Sequence, residues 1–260
     1  MSFYEFVRDD RLYVKSDVLE GIKHGFTSRL GGVSHGKVYG FNFGFRVGDD
    51  ESAVYENYRL MAGDMKIDLS KAVLSRQTHT DNIRIVTESD HGKGICRESD
   101  IFDTDGLVTD VKGTSLIVFS ADCNPILLWD RKKNVISAVH SGWRGTVKHI
   151  SQKAVGIMVS HFNCSASDIV AAVGPSIGPC CFEFGSEAVA LFDEKYIAKA
   201  ENDKYKVDLW SIIYDDLWQS GLLSENIDIS RICTVCQSDR YYSYRTQKEK
   251  TGRQIAVITL

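Results

Sequence analysis

The chain has 260 residues, 43% of them hydrophobic and 25% charged, which is a globular composition with enough length to bury a sizeable core. With 31 basic and 35 acidic residues the net charge is −4, so bulk electrostatics offers no basis for a nucleic-acid partner. The opening MSFYEFVRDD lacks the basic flank and apolar stretch of an export signal, and no segment reaches the ~18 uninterrupted apolar residues of a membrane span, so a soluble, cytoplasmic protein without a membrane partner is expected.

Neither a repeat nor a long linker interrupts the chain, and residues 1–260 read as a single domain. The Gly-rich stretch SRLGGVSHGKVYG (28–40) is expected to form a long loop or a hairpin. DDESAVYENYRLMAGDM (49–65) reads as a helix capped by Asp or Ser, with Val54, Tyr58, Met61 and Met65 on one face. AVLSRQTH (72–79) and NIRIVTE (82–88) alternate as half-buried strands do. DGLVTD, TSLIVFSADC, PILLWD and NVISAVH follow as four short apolar runs, suited to neighbouring strands of a core sheet. Pro125, at the start of the third run, favours an edge or an exposed turn.

Apolar positions 147, 150, 154, 157 and 158 predict a helix over 146–162 with Thr146 as its cap. Beyond it lie a strand at 168–173, the turn GPSIGP, a helix starting near Ser186, a helix over roughly 208–220, and strands near 229–234 and 254–260. The aromatic run RYYSYR (240–245) reads either as a stacking surface for a ring or as a strand with alternate tyrosines in the core. Strands without a regular βαβ beat favour an α+β fold over a doubly wound one.

Three residues share one setting. His79 ends AVLSRQTH, Cys123 ends TSLIVFSADC and His140 ends NVISAVH, so in a common sheet their side chains can meet at one edge. Two imidazoles and a thiolate suit zinc or a related metal and leave a fourth position open. The spacings of 44 and 17 residues match no short metal motif, and each residue alone is equally at home in a core.

Asp122 is open to two readings, a carboxylate that orients a ligating histidine or one that caps a strand-end turn. Arg144 stands between two glycines ahead of a helix, and Arg29, with Ser28, and Arg46, with Asn42, occupy the two Gly-rich segments near the start. Such loops can hold phosphate, although an arginine paired with Asp49 or Asp50 would look the same.

The seven cysteines are irregularly spaced in a chain without an export signal, which favours reduced thiols over a disulfide framework. CTVC (233–236) is a lone C-x-x-C. It would need Cys180 and Cys181 as partners, and because neighbouring strand residues point to opposite faces, a second zinc site is not expected there.

Together SRLGGVS, FNFGFRVGDD, QTHT, DTDGLVTD, ADCNP, HSGWRGT, GPSIGPCCFEFG, SYR and TGRQ resemble the laccase-domain family, labelled polyphenol or multicopper oxidases and also purine nucleoside phosphorylases; the likeness runs from about residue 24 to 256. The resemblance implies an α/β/β/α sandwich and a zinc held by His79, Cys123 and His140. It also implies phosphorolysis of adenosine, guanosine, inosine and S-methyl-5′-thioadenosine, deamination of adenosine, and copper-dependent phenol oxidation. Two positions depart from the family pattern: Thr80 stands where glycine is usual, and Arg46 where many members have histidine.

For deamination, zinc would activate water toward purine C6, with Cys123, His140 and Asp122 as the catalytic set. For phosphorolysis, Ser28, Arg29, Asn42, Arg46 and Arg144 are the substrate-binding candidates. A metal-free Cys123–His140 hydrolase, a copper oxidase and a non-catalytic binding module are the rivals. The copper reading is weakened by there being only seven histidines. A monomer or a homodimer is equally compatible with the sequence.

Overall fold

The structure is a computed structural model that describes residues 2–260. In chain order its strands are β1 (Phe3–Arg8), β2 (Arg11–Ser16), β3 (Lys23–Thr27), β4 (Ala72–Leu74), β5 (Ile83–Ile85), β6 (Gly106–Thr109), β7 (Ser115–Ser120) and β8 (Asn124–Asp130). They continue with β9 (Val135–Ser141), β10 (Ile169–Val173), β11 (Glu183–Phe184), β12 (Ile197–Lys199), β13 (Tyr205–Val207), β14 (Ile227–Ile229) and β15 (Gln254–Thr259). The helices are α1 (Glu51–Met65), α2 (Trp143–Val147), α3 (Ile150–Phe162), α4 (Ser186–Val189), α5 (Leu209–Gln219) and α6 (Tyr244–Gln247). None is long and apolar enough to cross a membrane.

Two six-stranded sheets carry the fold, ordered β1-β2-β3-β15-β7-β4 and β14-β10-β8-β9-β6-β5, with a small third sheet β11-β13-β12. Alternate residues of each central strand face opposite ways. In β7 and β15, Leu116, Val118, Ala256 and Ile258 join Leu127, Ile136, Ala138, Val170 and Ala172 of the second sheet in a core between the sheets. Ile117, Ile255 and Val257 point outward instead, against Val54, Tyr58 and Met61 of α1. On the far side Ile126, Leu128, Val139, Ala171 and Val173 pack on α3 and α5 through Ile150, Ala154, Met158, Ile213 and Leu217. The α+β fold is therefore an α/β/β/α sandwich. The central strands read as unbroken apolar runs because both of their faces are covered.

Helix α1 matches the sequence expectation: Asp50 accepts from Ser52 N at 2.8 Å as its cap, and Val54, Tyr58, Met61 and Met65 are buried. Other elements depart from expectation for local reasons. The helix expected over 146–162 is two helices, because His149 takes φ 55° between α2 and α3 and turns its ring to Asp216, Nδ1 lying 2.8 Å from Oδ1. RYYSYR is not a strand; Tyr241 and Tyr242 are both fully buried ahead of α6, and only Tyr244, the first residue of that helix, presents a ring to solvent. Strand β14 stops at Ile229, so 230–234 is loop, and the helix at Ser186 lasts four residues. Pro125 lies in an interior strand, not an edge, one residue beyond the point where the β8–β10 ladder ends at Ile126.

The topology sets up one end of the sandwich. The chain crosses from the first sheet to the second twice there, through 75–82 after β4 and through 121–123 after β7. Gln254 pairs with Ser120, and Ala256 with Phe26, so the end of β3 and the start of β15 come to the same end. Asn124 and Pro125 pair with Ser141 and His140, bringing the end of β9 there as well.

Candidate metal and catalytic site

His79 and Cys123 lie on the two crossover links, and His140 is the penultimate residue of strand β9. The strand expected to run to His79 stops at Leu74. Beyond it the Gln77 side chain takes over the pairing, donating to Phe119 O at 3.0 Å and accepting from Phe119 N at 2.7 Å. This leaves 78–80 free to turn, and His79 adopts φ 64°.

The three side chains meet. His79 Nε2 is 3.7 Å from Cys123 Sγ, the two imidazoles sit edge to face with centroids 5.1 Å apart, and one ligand atom from each residue lies within 4.8 Å of the others. His140 is buried, Cys123 partly so, and His79 faces solvent. Gly142 makes the approach possible: a Cβ there would lie 2.6 Å from His79 Cδ2 and 3.3 Å from Cys123 Sγ.

The carboxylate that organises the site is Asp105, which the sequence reading did not single out. It is fully buried, and its Oδ1 is 2.7 Å from His140 Nδ1. The same carboxylate accepts from Thr78 N (3.2 Å), His79 N (3.1 Å), Thr80 N (2.8 Å) and Thr80 Oγ1 (2.7 Å). One side chain thus fixes the His79 turn and the His140 ring together. Because Gly106 of β6 pairs with Val139, the residue before β6 falls beside His140, and His140 N donates to Asp105 O at 2.7 Å. Thr80 supplies one of these hydrogen bonds from its hydroxyl.

Burial alone would raise the Asp105 pKa, but hydrogen bonds from His140 and Thr80 outweigh it and hold it at about 2. Burial would also raise the Cys123 thiol; the imidazoles of His140 and His79 reverse the effect and bring it to about 6. Burial opposes protonation of His140, yet the Cys123 thiolate and Asp105 lift it to about 9. Without a metal the pair is therefore a thiolate and an imidazolium.

The donor set fits a zinc ion. A carboxylate on His140 Nδ1 leaves Nε2 as the lone-pair nitrogen, the second-contact arrangement typical of metal-bound histidine. One sulfur and two ring nitrogens from three side chains match a site with an open fourth position.

Asp122 does not orient either histidine. Its carboxylate accepts from Thr234 Oγ1 at 2.7 Å and Arg245 N at 2.6 Å, and its backbone takes φ 87°, so it braces the turn that presents Cys123. Asn42 is buried and its amide is committed internally: it donates to Gly44 O and Asp49 Oδ2 and accepts from Gly44 N and Arg253 N. Ser28 is buried and caps the amide of Leu30.

Arg29 is partly exposed, donates to Ser238 O and Tyr39 O, and stacks over Tyr242 at 4.9 Å. Arg46 is exposed; Asp49 is taken by Ser34 and Asn42, and Asp50 caps α1, so neither is its partner. Arg144 is exposed and lies over Trp143 at 4.3 Å in the five-residue α2. A further cation was missed. Arg253 is partly buried directly before β15; burial depresses its pKa, against the opposing negative charge of Cys123, Tyr244 and Asp122, and its guanidinium donates to Thr251 O and Gly252 O.

Comparison with known proteins points in one direction. The family model described as multi-copper polyphenol oxidoreductase laccase matches residues 23–260. The purine nucleoside phosphorylase YlmD of Bacillus subtilis is 34% identical over 242 residues, 90% of this chain and 87% of that protein. A protein named adenosine deaminase from an unknown prokaryotic organism is 31% identical over 244 residues, 90% of this chain and 92% of its own length. The crystal structure of YlmD from Geobacillus stearothermophilus superposes with a TM-score of 0.92 at 30% identity, covering 99% of this chain and 98% of that one.

Proposed function

The chain belongs to the multi-copper polyphenol oxidoreductase laccase family, and from that premise we propose that it is a zinc-dependent purine nucleoside phosphorylase that also deaminates adenosine. Adenosine, guanosine, inosine and S-methyl-5′-thioadenosine are its substrates, with phosphate as co-substrate. The observation that carries the reading is the convergence of His79, Cys123 and His140, with Asp105 fixing the last of them.

Zinc held by these side chains supplies a Lewis acid with one open position, the chemistry that water attack at purine C6 requires. The protein's own residues do the rest. Asp105 holds His140 in the tautomer whose Nε2 faces the site, and the Asp122 turn keeps Cys123 in place.

In phosphorolysis a phosphate oxygen bonds to C1′ while the C1′–N9 bond breaks and its electron pair leaves with the purine. Arg253, brought toward the Cys123 turn by the pairing of Gln254 with Ser120, is the first candidate cation for the incoming phosphate in this reading. Arg29, Arg46 and Arg144 offer further positive charge from the loops and the α2 turn. Ser28 and Asn42 shape the segments that carry these arginines, since both are buried and internally bonded.

Copper-dependent phenol oxidation is poorly supported. Efficient multicopper chemistry needs several metal centres. His24 is bonded to Ser16 N, His91 lies against Thr114, and His149 faces Asp216, so none joins a second histidine cluster among the described residues.

A second reading keeps the residues and drops the metal: Asp105 orients the His140 imidazolium, which holds the Cys123 thiolate as a nucleophile and can return a proton to a leaving group. Two experiments separate the readings. Zinc-loaded protein should cleave nucleosides only with phosphate present, and zinc should shield Cys123 from alkylation. Phosphate-independent turnover by metal-free protein, abolished by stoichiometric alkylation of Cys123, would replace the phosphorylase reading with the hydrolase.

A further inference from the structure

Four cysteines outside this site also converge. One sulfur from each of Cys180, Cys181, Cys233 and Cys236 lies within 4.8 Å of the other three, and all four are free thiols. Cys236 Sγ is 3.6 Å from Cys180 Sγ and 3.5 Å from Cys181 Sγ. With Zn–S bonds of ~2.3 Å a tetrahedral ion sets its sulfurs ~3.8 Å apart, so the cluster is close to that shape before any ion enters. We propose that Cys180, Cys181, Cys233 and Cys236 form a closed structural zinc site, separate from the His79–Cys123–His140 centre.

The objection from adjacent residues does not hold in the folded chain. Cys180 and Cys181 lie in a turn, not a strand, and the amides of Cys181 and Phe182 both donate to Gly178 O at 3.0 Å. The tight turn swings both sulfurs to one side. Opposite them CTVC forms another turn, in which Gly178 N donates to Cys233 Sγ at 3.3 Å and the amides of Val235 and Cys236 also approach that sulfur. Amide hydrogens on a cysteine sulfur are the partners a thiolate requires where it is shielded from water. The sulfurs enclose room for one ion; a multi-iron cluster distributes its thiolates over different irons and holds them further apart.

The two turns belong to loops that follow β10 and β14, parallel neighbours that end at the same end of the sandwich. They are already joined by Ser176 N to Ile232 O at 3.1 Å and Thr234 N to Ser176 O at 3.0 Å. Thr234, between the two cysteines of CTVC, donates to Asp122, and Ile177 N donates to Asp122 O at 2.8 Å. An ion here therefore steadies the turn that presents Cys123. Binding exchanges four S–H bonds for four Zn–S bonds and releases the protons to solvent, with no change of oxidation state.

Metal analysis and native mass spectrometry of protein purified under reducing conditions test the assignment. Wild type should carry about two zinc ions per chain, and Cys123→Ser should keep about one. Cys236→Ser and Cys181→Ser should each lose about one of the two. Cobalt(II) placed in Cys123→Ser should show the intense thiolate charge-transfer absorption of four sulfur ligands. The proposal is overturned if Cys123→Ser, folded and supplied with zinc, retains none, or if the four cysteines of fresh protein prove to be paired as disulfides. These outcomes are independent of nucleoside turnover and stand even if Cys236→Ser fails to fold.

Discussion

Asp105→Asn is the most informative single change, because one buried carboxylate serves five donors. Its Oδ1 takes His140 Nδ1 and His79 N, and its Oδ2 takes Thr78 N, Thr80 N and Thr80 Oγ1. An asparagine that keeps its oxygen toward His140 turns an NH2 group toward the three donors of Thr78 and Thr80. Those contacts are lost and replaced by donor-to-donor repulsion in a fully buried position. With hydrogen bonds to a charged group worth about 1.5–3 kcal/mol each and partial relaxation of the turn, the fold should lose about 2–4 kcal/mol.

Zinc affinity at the His79–Cys123–His140 site should fall about 10–100-fold, the usual result of removing the carboxylate behind a metal-bound histidine. Thermal unfolding reads the first effect, and competition with a chromophoric chelator, compared with wild type, reads the second. A variant that binds zinc within about twofold of wild type would refute the role given to Asp105.

Three further outcomes follow from the same geometry. Gly142→Ala, at φ −69° where alanine meets no backbone strain, should push His79 off its position through the 2.6 Å contact; zinc affinity should drop at least about tenfold while the fold stays within ~1 kcal/mol of wild type, as measured by chelator competition and denaturant titration. In zinc-stripped protein, alkylation of Cys123 should rise through a pH of about 6 in place of the ~8.5 of an ordinary thiol, and added zinc should suppress it. The sign for stability follows: the depressed Cys123 pKa contributes stability that is lost as pH falls through about 6, and the raised His140 pKa contributes stability that is lost as pH rises through about 9, so the metal-free ion pair supports the fold between them. Arg29→Ala should raise the phosphate requirement by about tenfold while leaving adenosine deamination within about twofold, and equal losses in both assays would count against a phosphate-specific role.

The sequence was most legible where both faces of a strand are covered. TSLIVFS and NVISAVH are read correctly because sheet and helix layers bury alternate residues on opposite sides. The candidate trio was legible as three strand-end residues, although only NVISAVH carries its member, His140, on a strand; His79 and Cys123 lie on crossover links whose meeting depends on long-range pairing.

Asp105 escaped notice because nothing local distinguishes it in DTDGLVTD; its meaning comes from the β6–β9 register that sets it beside His140. The usable signal was an acid immediately before a strand that pairs with the histidine strand. Arg253 was hidden in the same way, since only the pairing of Gln254 with Ser120 brings TGRQ to the Cys123 turn. The cysteine pair was misjudged by applying strand alternation to Cys180 and Cys181, which the turn at Gly178 exempts.

Anomalous diffraction at the zinc edge, on crystals of zinc-loaded protein, tests the central claim most directly. The account predicts a peak about 2.0–2.1 Å from His79 Nε2 and His140 Nε2 and about 2.3 Å from Cys123 Sγ, with Asp105 still on His140 Nδ1. Zinc that leaves these three side chains empty while the protein still turns over nucleosides would contradict it.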